Sequence, residues 1–142
     1  MAALIGMSPG SVLADASLIG QSGLVHMPDA RIAEEGTLSI GASNIDPYFT
    51  IWSSLSVLPR LEVSARFTRI DQVPGAGTDS EFGDYRDKSF DAKLLLLKES
   101  RYLPALSIGT QDFTGTQLFT AKFLTLSKNF GDVDVTLGYG TD

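Results

Sequence analysis

A chain of 142 residues is the length of one ordinary domain, and a content of 43% apolar and 20% charged residues predicts a packed or membrane-embedded fold rather than disorder. A net charge of -6 leaves no basic face to displace phosphate counterions, so nucleic acid is excluded as a partner. With no cysteine, the sequence offers no disulfide, thiolate metal site, thiol nucleophile or lipid-bearing cysteine.

No apolar run reaches the roughly 18 residues of a membrane-spanning helix. Residues 1–22 read as a leader. Ala14-Asp15-Ala16 has the small-x-small form of a signal-peptidase site, but Pro9 and Gly10 interrupt the preceding apolar stretch and no Lys or Arg leads it. A signal-like segment and a flexible leader both stay open. Residues 23–142 read as one antiparallel β-sheet or barrel domain.

From Thr37 onward the chain reads as strands and turns. "TLSIGASNI" is a weak first strand. In "YFTIWSSLSVL", Phe49, Ile51, Leu55 and Val57 share one face, and Tyr48, Thr50, Trp52, Ser54 and Ser56 the other. "LEVSARFTRI" is the clearest strand, with Leu61, Val63, Ala65 and Phe67 alternating with Glu62, Ser64, Arg66 and Thr68.

The run "DKSFDAKLLLLKES" is ambiguous by period alone. As a helix it would be capped by Ser89 and bury Phe90, Leu94 and Leu97. As a strand it places Phe90, Ala92, Leu94 and Leu96 on one face, and Asp91, Lys93, Leu95 and Leu97 on the other. A lone helix would break a meander of short links, so the context predicts a strand. Leu95 and Leu97 then sit on a nominally wet face, as a contact with another chain or a plug would require.

Three more strands follow. "LPALSIGTQDF" sets Leu106 and Ile108 against Ser107, Gly109 and Gln111. "QLFTAKFLTLSKNF" sets Phe119, Ala121 and Phe123 against Thr120 and Lys122, a contrast blurred by Leu118, Leu124 and Leu126. "VDVTLGYG" sets Val133, Val135, Leu137 and Tyr139 against Asp134, Thr136, Gly138 and Gly140. The expected fold is all-β, an antiparallel up-and-down meander. Links at Pro59, Ser100 and Gly131 are tight and share one end, while the long stretch Asp71 to Asp87 lies at the other. That asymmetry, with strands of about 9 to 12 residues, is the habit of outer-membrane barrels. A soluble β-sandwich shows the same features.

Chemistry is sparse. His26, before Pro28, lacks metal-ligand spacing and reads as structural. There is no Gly-x-Ser-x-Gly elbow and no phosphate loop. Asp79, Glu81, Asp84 and Asp87 do not match a helix–loop–helix calcium site and read as a solvated loop. Asp91, Asp112 and Asp134 offer carboxylates for glycoside hydrolysis, but nothing in the sequence raises the pKa of any of them. No catalytic, cofactor-binding or metal residue is therefore expected, and the chain does not read as an enzyme. The polar faces carry the interest: Glu62, Arg66, Asp91, Lys93, Lys122 and Asp134 all oppose apolar residues. If the apolar faces meet lipid, these six line a lumen; in a sandwich they form its wet outer face.

Several blocks carry a family resemblance: Met27-Pro28-x-Ala30-Arg31, Asp87-Lys88-Ser89-Phe90-Asp91, Glu99-Ser100-Arg101-Tyr102-Leu103-Pro104, the Gly-Thr pair in "DFTGTQLF", and the Ser127-Lys128 step. Over Gly20 to Gly140 the chain resembles the N-terminal part of the YjbH family of outer-membrane β-barrel proteins associated with exopolysaccharide production and export. The resemblance implies a bacterial outer-membrane sheet that acts as a pore or scaffold without chemistry of its own. It implies membrane lipid, polysaccharide and export machinery as partners. Family members are several times longer and often carry a lipid-modified cysteine, which this sequence lacks.

About seven strands do not close a barrel, because single-chain bacterial barrels start at eight. An open edge in lipid leaves backbone groups unsatisfied at several kcal/mol each. The expectation is an arc of a larger outer-membrane barrel, completed either by further copies in a homo-oligomer or by the remainder of a longer chain. The competing expectation is a periplasmic β-sandwich that binds carbohydrate through Tyr48, Trp52 and Tyr85.

Overall fold

The computed structural model describes residues 16–74, 84–117 and 119–142, with the backbone alone for 72–74 and 84. Seven strands follow one another: β1 Leu38–Ile45, β2 Tyr48–Leu58, β3 Leu61–Pro74, β4 Asp84–Leu97, β5 Ala105–Gly115, β6 Ala121–Asn129 and β7 Asp134–Thr141. Each pairs antiparallel with the next, in chain order, and the single sheet is curled into a half-barrel. Among the described residues there is no helix. The leucine run is strand throughout. There is also no second sheet among these residues, so the sandwich expectation loses the layer it needs.

Period-two alternation explains the strands, and the burial pattern shows which face turned inward. Along β3, Glu62, Ser64, Arg66 and Thr68 are buried while Leu61, Val63, Ala65 and Phe67 are only half-buried. Along β4, Asp87, Ser89, Asp91 and Lys93 are buried and Phe90, Leu94 and Leu96 are exposed. Lys93 keeps 1% of its surface and Phe90 48%. An ordinary water-soluble sheet buries its apolar face instead. Here the concave face is polar and closed, and the convex face is apolar and open.

The concave face is covered by the chain's own residues 16–32, a strap held by hydrogen bonds from several strands. Residues 16–22, part of the expected leader, are thus packed against the sheet, with Ser17, Gln21 and Ser22 buried. The expected leader residues 1–15 lie outside the described residues. The apolar core is small. Leu95 packs with Ala30 of the strap and Ala105, with Ile32 against them. The awkward leucine at 95 therefore meets a plug. Leu97 does not, because the β4–β5 register shifts between Leu95 and Leu97, and Leu97 is exposed.

Two expectations need correcting. The solvated loop from Asp71 to Asp87 is shorter than expected, because β3 and β4 extend into it from both sides. In β6 the faces are reversed: Thr125 and Ser127 are buried, and Leu124 and Leu126 are exposed. Phe123 therefore points inward and Lys122 outward. Phe123 is accommodated by its register partner Gly109, where even a Cβ would overlap the ring.

Candidate functional site: the strapped concave face

The centre of the concave face is a charged seat for the strap. Two short antiparallel bridges, Ala16 with Ser22 and Gly23 with Pro28, fold the strap back on itself. Gly20 makes this possible with φ of 98°, and Trp52 lies against it and against Gly41, where any side chain would collide with the indole. Glu62 accepts a hydrogen bond of 2.9 Å from the Ser22 backbone N–H and another from the Ser22 hydroxyl. Lys93 Nζ donates to the Ser22 carbonyl at 2.7 Å and sits 3.5 Å from Glu62 and 3.7 Å from Asp29. Opposite charges, all out of water, are thus paired and hydrogen-bonded as burial demands. Burial pushes the Asp29 carboxyl above its usual range, with Lys93 and Arg31 pulling it back.

Hydroxyls continue the seat toward β7. Ser127 Oγ accepts from the Ala30 N–H at 2.9 Å, and the Asp29 carbonyl accepts from Thr125 at 3.2 Å and from Ser107 at 3.4 Å. The strap runs its backbone across the sheet without a ladder of its own, so strand hydroxyls satisfy it.

At the end with the β4–β5 and β6–β7 links, Arg31 fixes the strap's exit. Its guanidinium donates to Glu99 at 2.7 and 3.0 Å and to Asp134 at 2.7 and 3.1 Å. Glu99 also accepts from the Asn129 N–H at 2.8 Å and pairs with Lys128 at 3.3 Å. For Glu99, burial works upward, but these donors outweigh it and hold its carboxyl below the usual value. For Arg31, burial works downward and is outweighed by Asp134 and Glu99.

At the opposite end Arg66 donates from Nε to Ser89 at 2.6 Å and sits 3.7 Å from Asp91. Asp91 accepts from Ser64 and, at 2.7 Å, from the Asp112 N–H. Asp112 occupies a bulge in β5 with φ of 50°, and its carboxylate accepts from the Phe119 N–H at 3.0 Å. Asp87 accepts from Thr116 and Ser89.

Of the six polar-face candidates, Glu62, Arg66, Asp91 and Lys93 line the closed concave face, and Asp134 joins it at the Arg31 end. Lys122 is the exception, exposed on the convex face because β6 has the opposite phase. The carboxylate trio is split: Asp91 and Asp112 are joined by a hydrogen bond, whereas Asp134 is committed to Arg31. Of the acidic loop, Asp79 and Glu81 lie outside the described residues, and Asp87 is a buried strand residue. No group of three or more His, Asp or Glu that could hold a metal is found among the described residues. His26 is exposed on the strap.

Arg31, Glu99 and Asp134 come from widely separated blocks of sequence and meet at one point, which ties the strap to the β4–β5 link and to the start of β7. A family described as "YjbH: Exopolysaccharide biosynthesis protein YbjH" matches residues 16–142, the strap and all seven strands. The chain belongs to the YjbH family. Among curated relatives, the "Uncharacterized lipoprotein YjbH" of Escherichia coli (strain K12) is 38% identical over 134 residues, 93% of this chain and 19% of that protein. The chain thus spans about a fifth of that relative's length. No solved structure matches it.

The YjbH match includes the strap residues 16–32 as well as the strands. Sequence reasoning missed Asp29, Arg31, Glu99 and Ser22 as site residues. Their contacts join positions up to 103 residues apart, and no local period reports such pairing. The available signal was the pair of motif blocks around Arg31 and Glu99.

Proposed function

We propose that this arc belongs to an outer-membrane β-barrel that serves exopolysaccharide export as a pore or scaffold component, with no chemistry of its own. One observation carries the reading: the leucines, isoleucines and phenylalanines of the convex face are exposed, while lysine, arginine, aspartate and glutamate are enclosed on the concave face. Lipid makes that arrangement favourable on both sides, since the apolar face stays out of water and the charges stay paired. The apolar band has an edge. Beyond the rows Leu61–Leu94 and Ala65–Phe90, Phe67 faces Lys88 and Arg69 faces Arg86 across β3 and β4, at the height where headgroups would begin. Exposed Lys122, near the start of β6, stands in the register row of Thr110 and Ala92, within the apolar band, and would reach the headgroups by snorkelling. The family's link to exopolysaccharide and the relative's description as a lipoprotein agree with an envelope location.

Membrane fractionation of a diderm bacterium producing the chain tests this. The expected result is recovery with the outer membrane after a carbonate wash and release only by detergent. A monodisperse product in the detergent-free soluble fraction would overturn it.

A further inference from the structure

The strap does not fill the whole concave face. At the end holding the β1–β2 and β5–β6 links, a cavity of about 380 Å³ remains between the strap and strands β1, β2, β3 and β5. That is near the lower end of small-ligand pockets, which suits one or two compact rings and not a long chain. Tyr48 and Phe119, residues that are 42% and 41% exposed, border it, so two accessible aromatic residues stand at its edge. Leu18 and Ile19 of the strap add apolar wall. Between them stand Arg66, Gln111, His26, Asp46, Ser43 and the mutually bonded Thr50 and Thr68, a dense set of donors and acceptors. Among the described residues the side chains of Tyr48, His26 and Asp46 make no hydrogen bond, so their polar atoms are available to a ligand.

We infer that this cavity is a binding site for a neutral hexose unit of a glycan. Aromatic surfaces suit the apolar faces of a sugar ring, and interspersed hydroxyl, amide and charged groups suit its equatorial hydroxyls. The charge balance decides against an acidic sugar. Arg66 already has Asp91 at 3.7 Å and, through Ser89, Asp87, while Asp46 stands in the wall itself. No net positive field remains to attract a carboxylate.

The inference deepens the export reading and relies on it only for a glycan being at hand. Its test is a ligand-observed NMR titration of the protein in detergent micelles, with maltotriose, cellotriose and galactotriose as neutral probes and trigalacturonate as the anionic one. At least one neutral trisaccharide should bind with trigalacturonate at least ten-fold weaker, and Phe119→Ala and Tyr48→Ala should each weaken binding five-fold or more. Phe119→Ala keeps the backbone N–H that Asp112 accepts, and an unchanged β-sheet circular dichroism spectrum controls for folding. Neutral probes that bind no better than to empty micelles, equal binding of trigalacturonate, or indifference to both substitutions would each overturn the site. Fractionation reads the membrane placement separately: a membrane-bound chain that ignores sugars sinks only this site, and a soluble chain that binds them sinks only the barrel.

Discussion

Lys93 shows how much a single residue holds. Its side chain is fully enclosed and is the common partner of Glu62, Asp29 and the Ser22 carbonyl. Replacing a buried charge by a well-packed apolar residue is harmless only if its partners lose their charge too. Lys93→Met alone leaves Glu62 enclosed without a cation and Asp29 with Arg31 alone, 3.8 Å away, at a cost of about 3–5 kcal/mol. Adding Glu62→Gln should restore a large part of that loss, and a double-mutant comparison of unfolding midpoints in detergent reads it out. An unchanged midpoint for Lys93→Met would contradict the seat described above. Lys93 was legible as a polar-face residue from the alternation in "FDAKLLLL". Its partners were not, because Asp29 and Ser22 lie in a segment with no period.

The strap, the element that gives the fold its closed polar face, was the least legible part of the chain. Strand β3 could be read directly, since four apolar and four polar residues alternate without interruption. Strand β6 could be located but its phase was lost: Phe123 is large and apolar, yet only a glycine opposite lets it turn inward, and the reliable markers were Thr125 and Ser127. The strap's attachment at Arg31 has a pH signature. The Glu99 carboxyl lies below its ordinary value of 4.5 when folded, so its stabilisation is present above that pH and is lost as pH falls through the folded value. Asp29, raised from 3.8, has the opposite sign, its folded ionisation working against stability as pH rises through its raised value. Comparing wild type with Glu99→Gln isolates the first term. The wild type should melt higher at pH 7, and the difference should shrink toward zero as pH is lowered below about 4.5. A difference that stays constant down to pH 3 would show that Glu99 does not hold the strap as a carboxylate.

At the scale of the whole molecule, the edges of the half-barrel set the constraint. Among the described residues β1 is paired only with β2, and β7 only with β6. Each of these eight-residue strands presents one side of its backbone to whatever surrounds it. In water those groups would be solvated. In lipid each unsatisfied one costs several kcal/mol, which a sheet of this size cannot absorb many times over. The convex apolar face and the open edges therefore pull in opposite directions for an isolated arc: the face favours lipid and the edges forbid it. Pairing an edge with another strand resolves the conflict, whether that strand comes from a second copy or from a longer polypeptide. For the chain of 142 residues we propose that further copies supply it. Its protein mass in detergent, read by light scattering with the micelle contribution subtracted, should be a multiple of 15.2 kDa, at least two copies. Placing Pro at Leu137, in the middle of β7, should lower that number or abolish folding in micelles, because proline removes an N–H from the strand and stiffens its edge. A homogeneous particle of one copy with a full β-sheet spectrum would mean that the edges are satisfied in some other way, and the barrel-arc reading would fall with it.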